Sequence, residues 1–172
     1  ITRIKTDFPT ASIVHRLDLD TSGIMVIPLN KSTHSNISRQ FQERKIFKEY
    51  VAEVYGRIDI KTGEIVLPIA ADWANRPIQV IDHQRGKSAT TKFKTILRSK
   101  GKTRLLLHPI SGRSHQLRLH LQSIGHPILG CDLYAHEKAF KMSDRLMLHA
   151  TRLHLIHPTT QRLLKGYCPP DF

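Results

Sequence analysis

Two carboxylates, Asp18 and Asp20, stand close together in the stretch His15-Arg16-Leu17-Asp18-Leu19-Asp20-Thr21-Ser22-Gly23. An apolar run from Ile24 to Ile27 follows at once. A short apolar run after a glycine predicts a buried strand, here Ile24–Leu29, although a buried helix segment carries the same signature. A carboxylate lodged at the entrance to such a strand must be paired or hydrogen-bonded, because an unpaired buried charge is costly. One of the two could act as a nucleophile, and the other could cap a turn or face water. The plainer alternative has Asp18 capping a turn and pairing with a nearby arginine. The residues by themselves leave the choice open.

Other chemistries find less support. The chain has 11 histidines, but His115 and His120 are five apart, not the four that share a helix face. Cys131 and Cys168 lack close Cys or His neighbours. No zinc spacing results, and no metal or organic cofactor is expected. A Gly-rich, Lys-ended phosphate loop, a dinucleotide fingerprint and a serine elbow are all missing. Two distant cysteines suit a reducing, cytoplasmic setting. No signal peptide is visible, and no run approaches a membrane span.

The charge balance points to the partner. Lys and Arg number 27 against 14 Asp and Glu, for a net charge of +13 over 172 residues. The basic residues are spread along the chain. A folded basic domain most often meets a polyanion, usually nucleic acid.

The elements that must position these groups follow from pattern. Residues 1–13 form a short helical or irregular lead-in. Asn30 caps a helix over Lys31–Arg44, with Ile37 and Phe41 on its apolar side. Phe47–Tyr55 alternates as a strand, with Tyr50, Ala52 and Val54 on one face. Glu64–Ile69 and Ile78–Asp82 are short strands around an Asp72–Pro77 loop. Ser88–Arg98 and Thr103–Pro109 form a hairpin. Ala89, Thr91, Phe93, Thr95 and Leu97 share a face of its first arm, and Leu105, Leu106 and Leu107 are expected to be buried on both sides. Ser114 is expected to cap a helix over His115–Ile124, with Leu117, Leu121 and Ile124 as its core stripe and Gly125 closing it. Leu146–Ile156 reads as a strand bent near Ala150–Arg152, and Arg162–Phe172 adds an edge strand. The result is one domain over residues 1–172, of the α+β class, with a mixed, largely antiparallel sheet.

His15-Arg16-Leu17-Asp18 with Thr21-Ser22-Gly23 resembles the signature of the RluA family of pseudouridine synthases. Lys48-Glu49-Tyr50-Val51-Ala52 falls where that family carries a K-x-Y-x-A strand. Pro109-Ile110-Ser111-Gly112-Arg113-Ser114-His115-Gln116-Leu117-Arg118 is similar to its P-x-T-G-R-x-H-Q-[IL]-R segment. Gly125-His126-Pro127-Ile128-Leu129-Gly130 and the terminal Pro170-Asp171-Phe172 also fit. Asp72-Trp73-Ala74-Asn75-Arg76-Pro77 resembles the compact dual-specificity members. After Gly130 the family usually carries aspartate, where this chain has Cys131 and then Asp132. The family's upstream Lys-Pro-Gly segment is not present, so an N-terminal piece is expected to be missing.

The resemblance implies isomerisation of uridine to pseudouridine in RNA, at a central RNA-binding cleft. The implied substrates are tRNA anticodon stem-loops and large-subunit ribosomal RNA hairpins. The same chemistry on one of these RNAs, or a non-catalytic RNA-binding module, are the alternatives. Asp18 matches the catalytic aspartate and Asp20 a variable position. Tyr50 matches an active-site tyrosine, and Arg118 an arginine that pairs with the aspartate. Arg16 matches an arginine that enters the RNA stack when the base leaves, and His15 and Arg113 are placed with it as RNA-contacting residues. A monomer is expected.

Overall fold

A computed structural model describes residues 1–172. Its centre is strand β2, Phe47–Tyr55, the stretch of alternating aromatic and β-branched residues. β2 pairs antiparallel with β7 (Lys102–Pro109) on one side and β8 (Leu148–Ile156) on the other. The sheet continues through β6 (Thr90–Ser99) to β3 (Thr62–Val66). Beyond β8 lie β1 (Ser22–Gly23) and β9 (Leu163–Tyr167). Only β1 runs parallel to its neighbour. Two further strands, β4 (Ile69–Ala71) and β5 (Gln79–Ile81), form a separate hairpin. The architecture is α+β with a mixed, largely antiparallel sheet.

The two faces of the sheet differ in chemistry. Ala52 and Val54 of β2 join Leu105, Leu107 and Leu148 in the main core, against Leu117 and Leu121 of helix α3 (Gln116–Ser123). Helix α2 (Lys31–Gln42) covers the end of β8 through Ile37, Leu153 and Leu155. A bulge at Glu49/Tyr50 makes this possible. It places one extra β8 residue, Thr151, between Ala150 and Arg152, so Leu153 and Leu155 keep the face of Leu148 and Ala150. Both helices therefore pack on one face. On the other, Glu53 is 3% exposed and is held by Lys102 Nζ at 2.5 Å and Arg104 Nη2 at 2.7 Å. Such a carboxylate is tolerable inside only when paired in this way.

Most elements fall where the sequence pattern puts them, including the Asn30 cap, whose side chain accepts from Thr33 N at 2.9 Å. Four expectations need correction. Ile24–Leu29 is not a strand: after Gly23 the edge of β8 is taken by β9, with Tyr167 opposite Arg152 and Cys168 N bonded to Thr151 O. The strand expected over Glu64–Ile69 breaks into β3 and β4, because Pro68 cannot donate to a ladder. Leu97 is 54% exposed, because a bulge between Thr95 and Leu97 turns it off the buried face. Helix α3 has His115 as its N-cap, not Ser114, and its Ile124 lies outside the core at 36% exposure. Two short helices, α1 (Thr2–Asp7) and α4 (Glu137–Phe140), complete the fold. No helix is long and apolar enough to cross a membrane.

Candidate active site

The His15–Gly23 stretch lies across the helix-covered face of the sheet, and its ends are fastened. Thr21 N donates to Asp18 O at 3.0 Å, closing a tight turn. Ser22 Oγ bonds His149 Nδ1 at 2.8 Å and accepts from Arg145 Nη2 at 2.6 Å. Gly23 sits at φ +116°, and a Cβ there would stand 2.2 Å from Ala150 O. Only glycine lets the turn come this close to β8.

The turn forms one wall of a cleft of about 280 Å³. Asp18, Arg16 and His15 come from the turn, Tyr50 and Lys48 from β2, and Arg113 from the loop before α3. Five of the six residues singled out by sequence thus meet in one cavity. Tyr50 packs its ring against the main core. Burial, and then the Asp18 carboxylate beside it, push its phenol up to about 12. The phenol therefore keeps its proton at neutral pH. Arg16 is exposed at the mouth of the cleft.

His15 is turned inward. Its Nε2 accepts the Val26 N–H at 3.0 Å, and its ring stacks on Phe41 with centroids 4.7 Å apart. Burial, then the charge of Lys48, lower its pKa to about 4. An imidazole that accepts at Nε2 must be neutral and carry its proton on Nδ1. Lys48 in turn donates to Ser111 O at 3.1 Å, and burial followed by Arg44 lowers its pKa.

Arg118 departs from the expected pairing. It lies on α3, 3% exposed, and forms its ion pair with Asp132. Its Nε and Nη2 also donate to Cys131 Sγ at 3.2 Å. No ion pair with Asp18 forms, and Arg118 is not part of the cleft wall. The physical reason lies in the turn after Gly130, where Cys131 and Asp132 present sulfur and carboxylate to the same fork. Burial opposes the guanidinium charge, but Cys131 and Asp132 outweigh it and hold the pKa above its ordinary value.

Sequence reasoning missed the supports of this site. Gln116 is 3% exposed and holds the Ser111–Arg113 loop: its Oε1 accepts from Ser111 Oγ at 2.8 Å and Arg113 N at 3.0 Å. Its Nε2 donates to Thr90 O at 2.9 Å. His115 adopts a left-handed backbone at φ 53° and ψ 18°. Its Nδ1 lies 2.7 Å from the Tyr134 hydroxyl, which accepts from Gln79 N at 2.9 Å. The hydroxyl thus joins the His115 ring to the Gln79 backbone. Burial lowers the His115 pKa, with Asp18 acting in the opposite direction. The only sequence signal for these residues was their place in or near the quoted motifs.

The fold identifies the class. The human protein RNA Pseudouridylate Synthase Domain Containing 1 superposes with a TM-score of 0.87 at 29% identity, over 99% of this chain and 73% of that one. Human RNA Pseudouridylate Synthase Domain Containing 4, at 24% identity and a TM-score of 0.76, shares the fold. The family described as RNA pseudouridylate synthase matches residues 5–123. Over 173 aligned residues the chain is 46% identical to the dual-specificity RNA pseudouridine synthase RluA of Yersinia pestis, covering all of this chain and 84% of that protein. It is 43% identical to the protein of the same name from Escherichia coli K12, covering 79% of it. The chain belongs to the RNA pseudouridylate synthase family, and its reaction is the isomerisation of uridine to pseudouridine in RNA.

Proposed function

We propose that the cleft receives a uridine flipped from an RNA stem-loop, and that Asp18 performs the glycosidic rearrangement. The observation that carries this reading is the presence of Asp18, Tyr50 and Arg16 in one cavity of about 280 Å³ on a chain of net charge +13. The isomerisation breaks the bond from ribose C1′ to uracil N1 and forms one from C1′ to C5. C5 loses a proton and N1 gains one, so no oxidant or second substrate is consumed.

Asp18 acts as the ionised carboxylate, attacking the sugar or taking its proton. Tyr50 supplies a flat face for the uracil, as aromatic rings do for splayed RNA bases. Because its phenol is protonated at neutral pH, Tyr50 can serve as the final base only by passing its own proton on, and the Asp18 carboxylate stands beside it to take part. Arg16, planar and cationic, fills the stack that the uridine leaves and touches phosphates. Unstacking costs a few kcal/mol, on the order of what such contacts return. Arg113 holds backbone phosphate at the rim. Arg118 is a positioning residue that braces the turn after Gly130. His15 shapes the wall that RNA meets.

The substrates are tRNA anticodon stem-loops and large-subunit ribosomal RNA hairpins, in keeping with the dual specificity named for the relatives. The protein acts as a monomer in the cytoplasm. Mapping pseudouridines in RNA from cells lacking this gene tests the assignment. Loss of one site in each RNA class is expected. Loss in a single class would limit the enzyme to that RNA, and no loss in either would refute the reading.

A further inference from the structure

The β4–β5 hairpin stands beside the cleft, and the reaction makes no use of its tip. That tip carries Trp73, the chain's one tryptophan, which is 72% exposed. A ring so open adds little to the core and is available for contact from outside. The Arg76 guanidinium lies 3.8 Å from the ring centroid and covers one face. The exposure leaves the other face to solvent.

The tip is shaped by hydrogen bonds to Asp72. Asp72 accepts from Ala74 N and Asn75 N at 3.2 Å and from Asn75 Nδ2 at 2.9 Å. The base of the hairpin is tied to the start of α3 through Gln79, Tyr134 and His115. Holding a ring in place beforehand removes an ordering cost from binding.

A second cleft, of about 450 Å³, runs from Trp73 past Arg85 and Lys87 to Gly112 and Arg113. Gly112 and Arg113 also line the catalytic cleft, so the two cavities adjoin across this loop. The lining of the second cleft is positive: Arg85, Lys87 and Arg113 line it and no carboxylate does. Asp82 pairs with Arg85 at 2.8 Å, while Lys87 is exposed with no acidic partner. An aromatic platform rimmed by cations is how proteins hold single-stranded nucleic acid, by stacking bases and tracking the backbone.

We propose that Trp73 is the stacking platform for an unpaired loop nucleotide next to the target uridine, with Lys87 and Arg85 holding the adjoining phosphates. The site would select RNAs that present a splayed loop. The proposal rests on the neighbouring cleft being the uridine site.

Because Trp73 is the sole tryptophan, its fluorescence reports directly on the site. The probes are a tRNA anticodon stem-loop that the wild-type protein converts and a blunt duplex made of its stem alone. The stem-loop should quench the emission saturably and the duplex should not. Trp73→Ala should raise KM for the stem-loop by about 5- to 150-fold with kcat unchanged, the range that loss of one base–aromatic stack supplies. Trp73→Phe should recover most of the loss, and circular dichroism melting should match the wild type for both variants. Quenching by the duplex alone, or an unchanged KM in Trp73→Ala while pseudouridine still forms, would overturn the platform. If stem-loop quenching persists in an Asp18→Asn variant that still turns over normally, the platform stands and the catalytic reading fails.

Discussion

His15 should make the protein sensitive to acid, and the size of the effect follows from its surroundings. Its Nε2 accepts the Val26 N–H, so a proton arriving there breaks that bond and places a charge near Lys48. The pKa falls from 6.5 to about 4 on folding. A tenfold difference in proton affinity is worth about 1.36 kcal/mol, so the displacement amounts to about 3 kcal/mol. His15 is partly exposed, and water screens some of this, leaving about 2 kcal/mol. The folded pKa is the lower one, so the unfolded chain binds more protons between pH 6.5 and 4. Stability from His15 is therefore full above pH 6.5 and is lost as pH falls toward 4. The control is His15→Gln, whose side-chain oxygen can still accept from Val26 N but does not titrate. Losing the stack on Phe41 should cost the variant about 1 kcal/mol at pH 7. Urea unfolding across this range should show wild type losing about 2 kcal/mol more than the variant on acidification. Other groups cancel in that difference. Parallel curves for the two proteins would refute the inward, neutral histidine.

Gly23→Ala should destabilise the protein by about 3 kcal/mol or more and abolish turnover, because its Cβ meets Ala150 O at 2.2 Å at a positive φ. A melting temperature equal to wild type would contradict the clamped turn. Gln116→Leu should cost about 3 kcal/mol, since it strands buried partners at Ser111, Arg113 and Thr90; denaturant unfolding measures it, and a loss under about 1 kcal/mol would argue against the network. Asp132→Asn should lower stability by about 1 kcal/mol, a small value because Asp132 is 53% exposed although Arg118 is buried. If it instead removed activity with stability intact, Arg118 would act at the reacting atoms and not as a brace.

The sheet was legible in the sequence wherever alternation was strong. Phe47–Tyr55 and the hairpin around Lys100–Gly101 needed only their period and turn residues. Ile24–Leu29 misled because an apolar run shows burial but not which strand owns an edge. That edge went to β9, far away in sequence. Leu97 misled because a bulge shifts the side-chain period without any mark in the residue pattern. The site was legible through motif resemblance: Asp18, Tyr50, Arg16, His15 and Arg113 do meet. The side-chain pairings were not legible. Which acid takes Arg118, or whether His15 faces RNA or Val26, depends on contacts across separate elements. Gln116 and Tyr134 escaped notice because a supporting hydrogen bond has no spacing rule.

The central claim is that the Asp18 carboxylate performs the rearrangement in a cleft that binds RNA by other groups. Asp18→Asn keeps the size of the side chain and the Thr21 N to Asp18 O turn while removing the charge. Pseudouridine formation in a tRNA anticodon stem-loop should fall below detection, with RNA affinity, read by gel shift at fixed salt, nearly that of the wild type. Normal turnover by Asp18→Asn would contradict the account.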